Sequence, residues 1–329
     1  MTSYISIQLT KFEDLKMPTL EMDSESTPNE SLAQIESLLR NISSKELKKR
    51  IKNFNCSYKN LDAKDIYERI KDVIMISVGP GRAGAFAAQE KEYLPGGIFY
   101  RARVWNSEFK DLPESEFWAP PNDRVKYHGR INRPLQGLLY TSEGQILTTF
   151  KEARVKPQSN VLLIAYQSKE ALTVATIGNK FYTNLPSDTQ KKLSIIRKFI
   201  NQNLLAAGEG AYLFSSEFTN SILNFSPDGW AYPSTLCHGG ENVCFRPESQ
   251  HKLELLEIFA FNGKESGLRV PTGYFLRQED GAYKYREEAE EAASRFIDFM
   301  KRHQRIYDSN DRSTLEQKTA INTTIRLIP

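Results

Sequence analysis

Three blocks of this sequence place polar, chemically capable side chains inside apolar stretches of the kind that form strands. The first is YRAR at residues 100–103. The second runs from GRIN at 129–132 through LLYTS at 138–142 to KEAR at 151–154, and the third joins GWAYPST at 229–235 to GGENVCF at 239–245. A guanidinium binds phosphate oxygens in pairs, and a carboxylate stabilises developing positive charge. An uncompensated charge inside apolar sequence is costly, so these blocks are the first candidates for a functional site.

The order of the blocks resembles the RES-domain family, which is named for its Arg, Glu and Ser residues and known chiefly as bacterial toxins paired with an antitoxin. An arginine in a strand comes first, followed by a GR-x-N element, an LY-x-S strand and a helix that ends in Glu-Ala-Arg. A late Tyr-Pro-Ser then precedes a Gly-rich turn into an apolar strand. The resemblance covers about residues 99–245, and the ordered set carries it rather than any single block.

This resemblance implies a fold like that of the ADP-ribosyltransferases and an enzyme that consumes NAD as its substrate by breaking the nicotinamide–ribose bond. Carried over residue by residue, the family's arginine, tyrosine, glutamate and serine fall on Arg130, Tyr140, Glu152 and Ser234. The first-block arginine is Arg101 or Arg103, of which Arg101 is favoured because it directly follows an aromatic pair. The implied NAD-binding set is Arg101, Arg103, Arg130, Asn132, Tyr140 and Ser234.

The residue types suit this chemistry. Bound NAD has a cationic leaving group, so the barrier depends on stabilising positive charge on the ribose, which Glu152 would do while bonding the ribose hydroxyls. Tyr140 offers a flat face to the nicotinamide, and Arg130 and Arg101 suit the pyrophosphate. Ser234 is expected to donate a hydrogen bond to the carboxamide or a phosphate and is not proposed as a nucleophile.

Several readings stay open at this stage. The acceptor after cleavage is water or phosphate for a glycohydrolase or phosphorylase, and a protein or nucleotide for a mono-ADP-ribosyltransferase. A rival from another class is a catalytically inactive binding or regulatory protein on the same fold. The chain is longer than the short family toxins, so a role as toxin or defence effector, a cognate antitoxin or inhibitory partner, and a homo-oligomer are all open.

Each candidate residue also has an ordinary structural interpretation. A strand arginine is usually solvated or ion-paired, a glutamate at a helix end is usually on the surface, and Tyr140 could be a core aromatic. Cys237, His238 and Cys244 offer too few ligands for a structural zinc site, so no metal is expected. The GPGRAG run at 79–84 lacks the GK[ST] ending of a P-loop and favours a linker.

The elements that must position these residues follow from periodicity. Apolar residues at three- and four-residue steps predict helices, and alternation predicts strands. We expect an α+β fold with a mixed sheet of short strands, in three parts: a helical N-terminal module over 1–90, a RES-like NAD-binding catalytic domain over 91–265, and a C-terminal extension over 266–329 whose helix packs on that domain. Predicted helices are 32–39, 44–54 (capped by Ser44), 63–76, 143–154, 187–205, 215–224 and 285–304; predicted strands are 97–105, 137–142, 160–167, 172–177, 229–232, 242–245 and 252–261.

Composition narrows the class of protein further. The chain has 44 basic and 41 acidic residues, a net charge of +3 that is too small to indicate nucleic-acid binding. Three cysteines are too few for a disulfide framework and favour a reducing compartment. No stretch reaches the ~18–20 apolar residues of a membrane helix, and the first 20 residues lack a signal peptide's apolar core. We therefore expect a cytoplasmic protein that does not bind membranes.

Overall fold

The core of the molecule is one mixed β-sheet with helices packed against it. The computed structural model describes residues 28–58, 61–78, 81–178, 185–206, 209–263, 270–304 and 319–328. The first 27 residues of the predicted N-terminal module lie outside this range. The strands are β1 (Met75–Val78), β2 (Gly81–Tyr93), β3 (Ile98–Trp105), β4 (Leu112–Pro113), β5 (Leu139–Glu143), β6 (Asn160–Ser168), β7 (Leu172–Thr176), β8 (Gly229–Pro233), β9 (Glu241–Phe245), β10 (Leu253–Asn262), β11 (Gly273–Arg277), β12 (Ala282–Arg286) and β13 (Thr319–Ile328).

The strand order is β1-β2-β7-β8-β9-β5-β3-β6-β10-β11-β12-β4, and β13 also pairs with β2. Among the described pairs, β7 and β8 alone run parallel. A parallel pair needs a long crossover, and here two helices, α5 (Ser187–Leu204) and α6 (Glu209–Ser221), lie between those strands in the chain. This mixed architecture agrees with the expected α+β class.

The remaining described helices are α1 (Pro28–Arg40), α2 (Ser44–Ser57), α3 (Ala63–Ile74), α4 (Ile146–Glu152) and α7 (Ala289–Gln304). Ser43, not the predicted Ser44, caps α2, because its hydroxyl accepts from the Glu46 amide at 3.1 Å. Buried residues of α1 to α3 form one hydrophobic cluster with α5, α6 and the strand residues Trp230 and Tyr232. The N-terminal helices thus pack on the face of the sheet that carries the side chains of Trp230 and Tyr232.

Two sequence predictions were wrong for the same physical reason. The GPGRAG run at 79–84 was expected to be a linker, yet β2 begins at Gly81 and pairs with β1, β7 and β13. The last helix was expected from residue 285, yet 282–286 pair with β11 as β12 and α7 begins at Ala289. In both cases hydrogen bonds from distant strands override the local preference. Helix α6 likewise begins and ends earlier than the predicted 215–224, and α4 is shorter than 143–154.

A half-buried ion cluster joins three strands on the face of the sheet that carries Phe99. Lys91 of β2 donates to Glu143 of β5 at 2.8 Å and to Glu241 of β9 at 2.5 Å, and the Tyr93 hydroxyl donates to Glu241 at 2.8 Å. Burial raises the pKa of Glu143 to about 7, although Lys91 opposes the rise. Burial acts the same way on Glu241, but Lys91, Glu143 and Tyr93 outweigh it and lower the pKa of Glu241. The pair therefore shares one proton at mildly acidic pH.

We expect Glu143→Gln to change how the free energy of unfolding depends on pH. In the folded wild type, Glu143 holds a proton between its ordinary pKa and about 7 that the unfolded chain has lost, so this group's contribution to stability falls as pH rises through that window. The stability of the variant relative to wild type should rise by on the order of 2 kcal/mol between about pH 5 and about pH 8 in urea titrations. A difference that is constant across this range would contradict the assignment.

Candidate functional site

A cavity opens where two neighbouring strands separate. Strand β3 pairs along its full length with β6 but pairs with β5 at two positions, Phe99 with Glu143 and Tyr100 with Ser142. Beyond that point Arg101 and Tyr140 border a cavity of about 300 Å³, which is at the lower end of the ~300–1,000 Å³ usual for ligand pockets. Its walls are completed by Pro120, Val125, Lys126, Tyr127, His128, Gly129, Asn132, Gln136 and Leu138.

Most of one wall is formed by residues 125–137, which follow a 3₁₀ turn at Asn122–Arg124 and precede β5. This segment contains the GRIN block and is called here the GRIN loop. It closes on itself through a hydrogen bond from the Leu135 amide to the Val125 carbonyl at 2.7 Å. Glycine is needed at Gly129 and Gly137, since a Cβ there would collide with Asn132 and with the Pro120 carbonyl. The close approach of Asn132 to Gly129 explains why the GR-x-N element begins with glycine.

Tyr140 pins this loop to the sheet. Its hydroxyl accepts from the amides of Ile131 at 3.1 Å and Asn132 at 3.2 Å, and donates to Asn132 Oδ1 at 2.9 Å. Burial raises the pKa of Tyr140 well above its ordinary value, so the hydroxyl keeps its proton. Asn132 also donates to the carbonyls of Tyr127 and Arg133. The tyrosine and asparagine predicted for NAD binding therefore also shape the cavity wall.

Helix α6 holds the loop from the other side. Arg133 makes a two-pronged ion pair with Glu217, with Nε to Oε1 at 2.7 Å and Nη2 to Oε2 at 2.6 Å. Asn220 donates to the Ile131 carbonyl at 2.7 Å, and Ser216 bonds His128 at 2.7 Å. None of these residues was predicted from the sequence. A signal was present, because Ser216 and Glu217 precede Asn220 by four and three residues, the spacing of one helix face.

Glu152 ends α4 and is held by one residue of the turn after β8 and one residue of β9. Its Oε1 accepts from Ser234 Oγ at 2.5 Å and from Asn242 Nδ2 at 2.8 Å, and Ser142 Oγ in turn donates to Asn242 Oδ1 at 3.0 Å. No hydrogen bond from the described residues reaches Oε2. Glu152 is half-buried, so this carboxylate is both oriented and accessible.

Arg130 lies at the carboxyl end of α5. Its Nη1 donates to the carbonyls of Leu204 at 2.6 Å and Ala206 at 3.2 Å, groups that a helix end leaves without partners. The guanidinium also lies 5.8 Å from the centre of the Tyr232 ring. Burial raises the pKa of Tyr232; the positive charge of Arg130 opposes this rise, and the negative charge of Glu152 adds to it. Arg130 therefore lies near Tyr232, whose cross-strand partner Asn242 holds Glu152.

Sheet register explains why these groups meet. Tyr140 and Ser142 of β5 pair with Cys244 and Asn242 of β9, which pair with Trp230 and Tyr232 of β8. Directly paired residues of antiparallel strands project to the same face. Residues far apart in the chain are thus brought to one surface, on the opposite side of the sheet from the Lys91 cluster.

The two candidate arginines of β3 have different surroundings, although both donate to the segment between β4 and the GRIN loop. Arg101 Nη1 donates to the Trp118 carbonyl at 2.5 Å and borders the cavity. Arg103 is ion-paired with Glu116 at 2.8 Å and lies over the Trp105 ring. The geometry favours Arg101 as the arginine available to a ligand.

Comparison with protein-family models, with curated proteins and with solved structures finds no match for this chain. Within the described residues, no helix is long and apolar enough to cross a membrane. The same part of the chain has no group of three or more histidine, cysteine, aspartate or glutamate residues placed to hold a metal ion. Cys237 is buried, whereas the neighbouring His238 is exposed.

We expect Tyr140→Phe to destabilise the protein. The change keeps the ring but leaves the amides of Ile131 and Asn132 and the side chain of Asn132 without this partner, a loss of about 1–3 kcal/mol in the free energy of unfolding. Urea denaturation measures this loss, with the exposed Tyr127→Phe as control. Equal stability of both variants would mean that the hydroxyl does not pin the loop.

Proposed function

We propose that this protein is an NAD-consuming enzyme of the RES type, with an ADP-ribosyltransferase-like catalytic core, that cleaves the nicotinamide–ribose bond as a glycohydrolase or phosphorylase. The observation that carries the proposal is the carboxylate of Glu152. Ser234 and Asn242 hold it through one oxygen, and Asn242 pairs across the strands with Tyr232, near whose ring Arg130 lies. We assign Arg130, Glu152 and Ser234, which match the residue types that name the family, to one site; none of the three is among the residues that line the cavity.

The chemistry requires a negative group beside the ribose as nicotinamide leaves. Because departure of the cationic ring moves positive charge onto the sugar, an oriented carboxylate stabilises the transition state more than the ground state. The bonds from Ser234 and Asn242 restrict the rotamer of Glu152, so little reorganisation is needed when the charge develops. Oε2 is the oxygen proposed to face the ribose.

Arg130 and Arg101 are proposed to bind the pyrophosphate, Arg130 from the face of the sheet that carries Tyr232 and Arg101 from the opposite face, through the gap between β3 and β5. A guanidinium has five N–H donors. The hydrogen bonds of Arg130 to the end of α5 and that of Arg101 to Trp118 use Nη1 in each case, which leaves further N–H groups for phosphate oxygens. Tyr140, whose ring borders the cavity, is proposed to stack on the nicotinamide.

Glu152→Gln is expected to lower the rate of nicotinamide release from NAD by at least about 100-fold, because the amide cannot neutralise the developing charge. Free nicotinamide is measured by chromatography with purified protein, in the presence and absence of phosphate. The matched control is Glu170→Gln, an exposed position between β6 and β7. Dependence on phosphate would identify a phosphorylase.

Two results would contradict the proposal. Equal release by wild type and Glu152→Gln would remove the carboxylate from the chemistry. No release by the wild type under any condition would favour a transferase that requires its macromolecular target, or a binding protein without catalysis.

Arg101→Ala and Arg103→Ala are a matched pair on one strand face with different expected effects. Loss of Arg101 should raise the KM for NAD by about 10- to 100-fold, the value of a hydrogen bond to a charged group. Loss of Arg103 should instead lower stability by about 1 kcal/mol through its ion pair with Glu116, with KM little changed. Steady-state kinetics and urea denaturation separate the two effects, and the reverse pattern would assign the phosphate contact to Arg103.

A further inference from the structure

His128 is a cavity residue that the proposed chemistry does not use. It belongs to the GRIN loop and lines the cavity beside Arg101 and Lys126. Its Nδ1 lies 2.7 Å from Ser216 Oγ, and Ser216 is fully buried in α6. No hydrogen bond from the described residues engages Nε2, on the opposite side of the ring.

The bonding of Ser216 indicates which ring nitrogen carries the proton. A serine hydroxyl has one hydrogen, and we assign that of Ser216 to the Leu213 carbonyl, an acceptor 3.3 Å away within the same helix. The hydroxyl oxygen then accepts from His128 Nδ1–H, which leaves Nε2 with a lone pair. Burial lowers the pKa of His128; Glu217 opposes this effect and Arg133 adds to it. The imidazole is therefore neutral at neutral pH, and its Nε2 is an acceptor.

The rest of the cavity defines the ligand chemistry around that acceptor. The described lining includes the cations Arg101 and Lys126 and no carboxylate. A ligand that suits both features carries a phosphate for the cations and a hydroxyl donor for Nε2. A ribosyl phosphate combines the two groups, and a cavity of about 300 Å³ suits one part of a dinucleotide.

We propose that His128 is a substrate-binding residue whose Nε2 accepts a hydrogen bond from a ribose hydroxyl of a ribosyl phosphate held in the cavity, with Ser216 fixing the tautomer. The proposal rests on the NAD-consuming function and names the part of the substrate that this wall recognises. Protonation of His128 turns Nε2 from an acceptor into a donor, so binding weakens as pH falls.

The test compares wild type with His128→Ala and His128→Gln in nicotinamide release from NAD. His128→Ala should raise KM by about three- to tenfold with kcat changed less than about twofold, the effect of one neutral hydrogen bond. In the wild type, KM should rise as pH falls from about 7.5 to about 5, and both variants should lose this dependence. The Gln amide oxygen can accept the bond, so His128→Gln should restore much of the lost affinity.

A direct binding measurement separates this proposal from the proposed function. The chain has four histidines, so the His128 ring resonances can be identified by comparison with His128→Gln. ADP-ribose should shift those resonances and should bind more weakly at low pH. Ser216→Ala should also weaken binding, but less than His128→Ala does. Without the Ser216 hydroxyl the imidazole is still present, but its proton is no longer held on Nδ1.

The outcomes are distinguishable. Nicotinamide release with the same KM and pH profile in wild type and the His128 variants would overturn the role of His128 and leave the proposed function standing. No release, but a pH-dependent shift of His128 by ADP-ribose, would support the binding role and overturn the cleavage. Tighter ADP-ribose binding at low pH would overturn the acceptor assignment, since it would mean that a protonated His128 contacts phosphate.

Discussion

The ion pair between Arg133 and Glu217 is the interaction on which the candidate site depends most. Glu217 is buried in α6, and both of its oxygens are held by the guanidinium of Arg133. A buried charge that loses its partner costs about 3–5 kcal/mol, so the GRIN loop can leave α6 only at a large free-energy cost. The segment that carries His128, Arg130 and Asn132 is thereby fixed to α6 through Arg133.

A second constraint comes from the sheet. Strands β5, β9 and β8 pair in a register that puts Tyr140, Asn242 and Tyr232 on one face. The same register puts Glu143 and Glu241 on the other face, directly behind the residues that hold Glu152. A one-residue slip would exchange the two faces. The half-buried Lys91 cluster opposes such a slip, because the slip would separate Lys91 from Glu143 and Glu241.

The cavity exists because the sheet is not continuous. Beyond its two pairs with β5, strand β3 forms no further ladder with it, and Thr149 of α4 approaches the Tyr100 carbonyl at the split at 3.5 Å. Arg101 of β3 and Tyr140 of β5, on the two sides of this split, border the open space. This arrangement places Arg101 at the cavity while its strand neighbour Arg103 stays in an ion pair.

The sequence by itself predicted the mixed α+β class, most helices and strands to within a few residues, and a set of polar residues that the structure brings to one region. Periodicity and local capping decide these features, which is why α5 was predicted over 187–205 and is observed over Ser187–Leu204. Prediction from the sequence failed for β2 and β12, whose formation depends on hydrogen bonds from other strands. Tertiary structure alone decided that Glu217, Asn220 and Ser216 of α6 hold the GRIN loop, that Asn242 holds Glu152, and that Arg101 and not Arg103 borders the cavity. No local pattern encodes these contacts, since each joins residues that only the pairing of the sheet and the packing of α6 bring within hydrogen-bond distance.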